Sequence, residues 1–94
     1  MPFLFSKILE VHYAIVDIET TGGYAAGNNI IEICIEIFDG TKVVERFETL
    51  VNPCQRIPVY IQGFTGITDA MVADAPVFED IARKVYYLLY DKIF

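Results

Sequence analysis

Hydrophobic and polar residues alternate most clearly between Ile31 and Phe38. Isoleucine occupies every second position there, and glutamate or cysteine occupies the positions between. Successive side chains of a β-strand point to opposite faces, so this segment predicts a half-buried strand with an antiparallel neighbour. The predicted buried face consists of Ile31, Ile33, Ile35 and Ile37.

Two further strands are predicted beside this one. The stretch from Tyr13 to Gly23 begins as an apolar, β-branched run and closes in Thr-Thr-Gly-Gly, which is typical of a strand followed by a turn. Asp39-Gly40 is a strong hairpin signal, after which residues 42–51 return as a third strand. Pro53 cannot continue a central strand. The three strands are therefore expected to form an antiparallel meander.

The segment from residue 57 to residue 69 predicts a loop fixed by Pro58. Gly63 and Gly66 allow a tight backbone path within it, and Thr68 can cap a short helical turn over 69–72.

A longer helix is predicted after this loop, with Asp74 as its cap and Pro76 in its first turn. Hydrophobic residues at helical spacing give it one apolar stripe, made of Val77, Phe78, Ile81, Val85, Leu88 and Leu89. The opposite side carries Tyr86, Tyr87 and Tyr90, which indicates either a partner that packs there or simply exposed tyrosines.

Composition limits the range of functions. The 94 residues fit one small domain, and its net charge of −6 argues against binding nucleic acid through a basic patch. It leaves open binding through metal ions at carboxylates. Residues 1–12 are apolar but interrupted by Pro2, Lys7 and Glu10, so they predict a short lead-in rather than a membrane helix or a secretory signal. Only two cysteines, in no paired motif, favour a reduced cytoplasmic setting.

Asp17 and Glu19 stand where the first strand ends. Side chains two residues apart on a strand share a face, about 6.6 Å apart along the backbone. The two carboxylates repel each other unless a divalent cation lies between them, and Mg²⁺ and Mn²⁺ prefer such hard oxygen ligands. The alternative is a pair that serves only solubility or capping. Glu32 could approach Asp17 from the next strand, but a solvated Glu32 is favoured, and His12 is not expected to be catalytic.

The segment Ile-Val-Asp-Ile-Glu-Thr-Thr-Gly, residues 15–22, resembles the first motif of the DEDD superfamily of 3′–5′ exonucleases, the DnaQ-like superfamily of the DNA polymerase III epsilon subunit. Leu50-Val-Asn-Pro53 resembles the family's usual end of the third strand. Phe64-Thr-Gly-Ile-Thr68 matches its Thr-Gly-Ile-Thr loop. Together these matches extend from about Tyr13 over nearly the whole chain.

The resemblance implies a ribonuclease-H-like α/β fold and two-metal hydrolysis of 3′-terminal phosphodiester bonds with Mg²⁺ or Mn²⁺. Asp17 and Glu19 would be catalytic and would bind the metals. The terminal nucleotide would be bound by Thr20, Thr21, Gly22, Phe64 and Thr65, although Phe64 could instead be a core residue. Implied partners are single-stranded or frayed 3′ ends of DNA, or RNA, and DNA polymerase subunits.

The family's later motifs, which supply two more carboxylates and a histidine base, are not among these 94 residues. We therefore expect a truncated fold, consisting of a three-stranded meander and a C-terminal helix without the later parallel strands. Residues 1–12 would be a lead-in and 13–94 the N-terminal half of an exonuclease domain. This fragment is expected to bind metal weakly, to be inactive and to form a homodimer through its unpaired strand edge. An RNA-directed exonuclease and a non-catalytic assembly module remain alternatives.

Overall fold

The structure is a computed structural model that describes residues 11–22 and 27–93. Three strands, β1 (Tyr13–Thr20), β2 (Ile30–Phe38) and β3 (Val43–Leu50), form an antiparallel sheet in the order β1-β2-β3. This arrangement confirms the predicted meander. Most of the lead-in, residues 1–10, lies outside the described residues, as do Gly23 of the first motif stretch and Phe94.

The turn between β2 and β3 is held by the side chain of Asp39. Its carboxylate accepts hydrogen bonds from the backbone amides of Thr41 and Lys42, at 2.8 and 2.9 Å. These bonds, above all that from Lys42, lower the pKa of Asp39. Gly40 adopts φ +99°, a conformation that favours glycine, so the Asp-Gly pair acts as its hairpin signal predicts.

The isoleucine face of β2 is the centre of the core, as predicted, and it serves two clusters. Ile33, Ile35 and Ile37 pack with a long helix, whereas Ile31 at the start of the strand packs with the segment that follows Pro53. The first cluster consists of Ala14, Ile33, Ile35, Ile37, Val51, Ile81, Val85 and Leu88, and the second of Ile31, Ile57, Ile67 and Val72.

Three helices follow the sheet: α1 (Val59–Thr65), α2 (Asp69–Val72) and α3 (Phe78–Leu89). The loop predicted for residues 57–69 is wrong over the length of α1. Pro58 stands immediately before this helix, and Gly66 ends it in the left-handed conformation at φ +79°. The predicted cap of α2 is confirmed, because the Thr68 hydroxyl accepts a hydrogen bond from the Met71 amide.

Helix α3 buries Ile81, Val85 and Leu88 of the predicted apolar stripe against the sheet, whereas Phe78 is 39% exposed and Val77 precedes the helix. Its predicted start at Asp74 and Pro76 is wrong by several residues. The backbone amide of Asn52 donates a hydrogen bond to the Pro76 carbonyl at 2.8 Å, and Asn52 forms a parallel bridge with Val77. These contacts keep the chain extended up to Phe78.

A parallel bridge joins the last described residue, Ile93, to Tyr13 at the start of β1. The Ala14 amide donates to the Ile93 carbonyl at 2.8 Å, and the Ile93 amide donates to the His12 carbonyl at 3.1 Å. Ile93 thus forms a single parallel bridge on the outer edge of β1. None of the helices among the described residues has the length and apolar character needed to span a membrane.

Candidate active site

Asp17 and Glu19 project from the same face of β1, the face that α3 does not cover. The register pairs Asp17 with Cys34 and Glu19 with Glu32, whereas Ile18 pairs with the buried Ile33. Asp17 is exposed and Glu19 is half-buried, so both carboxylates are accessible. The strand therefore presents the acidic pair to solvent on one face and packs against the core through Ala14 on the other.

Glu32 adds a third carboxylate to this face. It is half-buried, and the pKa of its carboxyl is raised, first by burial and then by the negative charges of Glu48, Glu19 and Asp17. Glu32 therefore approaches Asp17 from the adjacent strand, the possibility that the sequence left open, while its side chain remains partly accessible to solvent. The sequence could not decide this point because it does not fix the register between the two strands.

The turn that follows the acidic pair is tied down by Thr21, whose side chain is almost fully buried. The Thr21 hydroxyl donates to Gln55 Oε1 at 2.7 Å and accepts from the Asn29 amide at 3.0 Å. Gln55 in turn donates through Nε2 to the Gly27 carbonyl at 3.2 Å. Gln55 was missed by sequence reasoning, because a contact over 34 positions leaves no local signal.

Thr20 and Gly22 form the accessible part of the same turn. The Thr20 hydroxyl donates to the Gly22 carbonyl at 2.5 Å, and both residues are half-buried. Gly22 also lies against Asn28, since a Cβ built on Gly22 would meet Asn28 Oδ1 at 2.6 Å. The turn is therefore compact, and a side chain at position 22 would have to displace the Asn28 amide group.

Helix α1 carries the other two predicted contact residues. Phe64 is 85% exposed, which excludes the alternative of a core residue. Thr65 uses its hydroxyl within the chain, donating to the Ile61 carbonyl at 2.8 Å and accepting from the Ile67 amide at 3.1 Å. Because Ile61 packs on the cluster of Ile31, next to Glu32, α1 lies at the same end of the sheet as the acidic pair.

The donor set suits a hard divalent cation. Mg²⁺ is commonly bound through one or two carboxylates and keeps its remaining ligands as water or substrate oxygens, which Asp17 and Glu19 can match. Within the described residues, no three acidic, histidine or cysteine side chains converge closely enough to enclose a metal ion. Nor does a basic side chain form an ion pair with Asp17, Glu19 or Glu32 in that part of the chain. No positive side chain of the described residues balances the charge of this pair, so the pair is suited to a cation that keeps part of its hydration shell.

A family model described as exonuclease, RNase_T, matches residues 14–94, which is nearly all of the chain and includes every residue of the acidic site. The chain belongs to the exonuclease family. It is 37% identical over 82 residues to the 3′-5′ exonuclease DinG of Staphylococcus haemolyticus and 36% identical over 77 residues to the PolC-type DNA polymerase III of Bacillus cereus. These matches cover 87% and 82% of the chain but only 9% and 5% of the two relatives.

Solved exonuclease structures share the fold. Exonuclease X in complex with 5′ overhanging duplex DNA aligns with a TM-score of 0.70 at 34% identity, covering 79% of this chain and 43% of that one. A structure of exonuclease I aligns with a TM-score of 0.75 at 18% identity, covering 84% of this chain and 18% of that one. The sheet and helices therefore have the arrangement found in ribonuclease-H-like exonucleases, as the sequence predicts.

Proposed function

We propose that this chain contributes the first half of a 3′–5′ exonuclease site of DNA polymerase III epsilon type. The observation that carries the proposal is the placement of Asp17 and Glu19 on one accessible face of β1 in a chain of the exonuclease family. The substrate class is single-stranded or frayed 3′ ends of DNA. The match to a PolC-type polymerase supports DNA polymerase subunits as partners.

Asp17 and Glu19 would hold Mg²⁺ or Mn²⁺, two ions in the intact enzyme. When bound at such a site, these ions activate a water molecule and neutralise charge on the phosphodiester. The chain's own residues would position the terminal nucleotide. Thr20 and Gly22 supply backbone and hydroxyl groups beside the carboxylates, and Phe64 supplies an exposed ring at the same end of the sheet.

Thr21 and Thr65 would act through the backbone rather than by direct contact. Both hydroxyls are engaged within the protein, Thr21 with Gln55 and Thr65 with Ile61. Thr21 would keep the turn after the carboxylates in place, and Thr65 would fix the end of α1 beside Phe64. Their contribution to substrate binding is therefore positional.

The 94 residues by themselves are proposed to bind metal weakly and to hydrolyse nothing. Two carboxylates leave a divalent ion mostly hydrated, and these residues hold no histidine beside the acidic pair to act as a base. A free Cys34 and a free Cys54 support a reduced, cytoplasmic setting.

An RNA-directed 3′–5′ exonuclease is the second candidate function. Among the structural neighbours are the nuclease domain of 3′hExo bound to rAMP, with a TM-score of 0.71, and a 3′-exonuclease that recognises a histone mRNA stem-loop, also 0.71. At 22% and 24% identity these show only the fold. A non-catalytic assembly module would keep the fold without the chemistry.

The edge of β1 also supports a homodimer. Beyond the bridge at Tyr13, the outer edge of β1 has no strand partner among the described residues, and Ile15, Val16 and Ile18 are 52%, 40% and 44% exposed. An unpaired, apolar strand edge is a template for pairing with a second copy.

The activity can be tested in a chimera in which residues 14–93 replace the matching region of the Bacillus subtilis 3′-5′ exonuclease DinG, to which the chain is 36% identical. We expect the chimera to shorten 5′-labelled single strands from their 3′ end. The same chimera with Asp17→Asn and Glu19→Gln should lose at least about a hundredfold in rate. A folded chimera that leaves DNA and RNA strands intact would contradict the proposal, and cleavage of RNA alone would favour the second candidate.

A further inference from the structure

The outer surface of α1 is unusually apolar for so short a helix. No residue of α1 is buried, and Val59, Tyr60 and Phe64 are 85%, 70% and 85% exposed. Residues four apart on a helix lie on the same face, so Tyr60 and Phe64 project from the same face of α1, one turn apart. Large apolar side chains exposed this far usually mark a surface that binds something.

The polar side chains of α1 are directed into the chain. Gln62 donates through Nε2 to the Ile57 carbonyl at 2.9 Å and lies 3.3 Å from a carboxylate oxygen of Asp69. Thr65 donates its hydroxyl to the Ile61 carbonyl. The outer surface therefore offers aromatic and aliphatic side chains, and it is suited to a binding partner with flat faces of its own.

The distribution of charge further limits which class of molecule can bind to the outer surface of α1. Thirteen acidic and seven basic residues give the chain a net charge of −6, yet residues 57–68 contain no charged side chain. Arg56, which is exposed, stands immediately before this stretch. The half-buried carboxylate of Asp69, near Gln62, accepts a hydrogen bond from the Ile57 amide, so α1 itself presents no carboxylate to an anionic strand, which acidic residues elsewhere in the chain repel. The uncharged stretch also packs against Ile31, at the end of the sheet where Asp17 and Glu19 lie.

We propose that Tyr60 is a second base-binding ring, which together with Phe64 forms a platform on which unpaired bases of a single nucleic-acid strand stack. This inference rests on the proposed function and goes beyond it by assigning Tyr60. Aromatic rings bind bases through their faces regardless of base identity, so the platform favours unpaired ends over duplex without reading sequence.

The chain contains no tryptophan, which allows a direct test with the 94-residue protein. Tyr60→Trp introduces one fluorophore on the platform. Tyr87→Trp introduces the same fluorophore on α3, where Tyr87 is 68% exposed and lies outside the proposed site. A short single-stranded DNA oligonucleotide in Mg²⁺ buffer should quench the indole fluorescence of the Tyr60→Trp variant and leave that of the Tyr87→Trp variant nearly unchanged. A fully paired duplex of the same sequence should quench neither variant.

Affinity of the oligonucleotide for variants without the fluorophore completes the test. Tyr60→Ala should weaken binding about tenfold, and Tyr60→Phe should restore it, because stacking needs the ring and not the hydroxyl. Circular dichroism melts establish that each variant is folded. If Tyr60→Ala binds as tightly as the unchanged protein while Phe64→Ala binds more weakly, the platform is overturned and the proposed function stands.

Two other results would also overturn the platform. Absence of oligonucleotide binding by the unchanged protein would overturn the platform, whereas the proposed function is decided separately by the activity of the chimera. Loss of self-association in Tyr60→Ala, with oligonucleotide affinity unchanged, would assign the surface to protein contact instead.

Discussion

Glu32 on β2 lies directly opposite Glu19 on β1, and both side chains project from the sheet face that also carries Asp17. The pKa of Glu32 is raised first by burial and then by the negative charges of Glu48, Glu19 and Asp17. The carboxylates of Asp17, Glu19 and Glu32 repel each other when no cation is bound. This repulsion lowers the stability of the folded chain and favours the binding of a cation.

Replacing Glu32 with glutamine should stabilise the metal-free chain at neutral pH. The substitution removes a like charge while keeping the side chain's size, and a gain of about 0.5 kcal/mol would raise the melting temperature by about 2–4 °C. Glu45→Gln is the matched control, because Glu45 lies 3.4 Å from Lys84 in an exposed ion pair and should gain nothing. Thermal melts of both variants decide the matter, and a lower melting temperature for Glu32→Gln would contradict the account.

The side chain of Asp39 should make the stability of the folded chain fall as the pH is lowered. Its pKa is lowered in the folded state by the amides of Lys42 and Thr41, so its stabilising effect is present above the unfolded-state pKa and is lost as the pH falls through the lowered value. Asp39→Ala should therefore melt below the unchanged protein at pH 7, and the gap should narrow below about pH 4. Asp39→Asn keeps an acceptor oxygen and should show a smaller gap that does not depend on this titration. A gap for Asp39→Ala that is constant over the whole pH range would count against this.

Two glycine substitutions should act in opposite directions. Gly22→Ala places a Cβ 2.6 Å from Asn28 Oδ1, an atom that lies 3.1 Å from the Thr21 hydroxyl, so the Asn28 side chain must move and stability should fall by about 1 kcal/mol. Gly63→Ala lies within α1 with open space around its Cβ, and stability should rise by about 0.5–1 kcal/mol. Urea denaturation measures the free energy of unfolding of both variants. A loss of stability in Gly63→Ala would contradict a helical conformation at this position.

The proposed homodimer can be tested at Ile15, which is 52% exposed on β1. Ile15→Lys places a charge on the strand that would pair, so the dimer should dissociate while the core, which does not include Ile15, remains intact. Thr41→Lys adds the same charge at the exposed hairpin and should leave the dimer unchanged. Sedimentation equilibrium distinguishes the two, and a monomeric mass for the unchanged protein at all concentrations would remove the proposal.

Local patterns predict the sheet well because each strand carries its own signal. The alternating isoleucines of β2 identify its buried face, and Asp39-Gly40 identifies the hairpin. Thr68 is likewise a local signal, since a cap bonds to an amide three residues away.

The features that escape prediction depend on distant contacts. Helix α1 has no buried residue and therefore no apolar stripe in its sequence. Pro58 before it, Gly63 within it and Gly66 after it form a pattern that is typical of a loop. The start of α3 is set by Asn52, which holds Val77 in an extended bridge. The Glu19–Glu32 pairing depends on the register of two strands that are joined by a long connection, and the Thr21–Gln55 bond depends on how the next segment folds back.

Titration of the ¹⁵N-labelled chain with Mn²⁺ tests the central claim most directly, because the paramagnetic ion broadens the amide signals near its site. We expect broadening centred on Asp17, Glu19 and the turn at Gly22, with weak affinity, and its loss in the double variant Asp17→Asn/Glu19→Gln. The matched variant Glu79→Gln/Asp80→Asn changes the net charge equally on the first turn of α3 and should keep the broadening. Broadening elsewhere, or broadening that survives in Asp17→Asn/Glu19→Gln, would contradict the assignment of this strand as the metal-binding part of the exonuclease site.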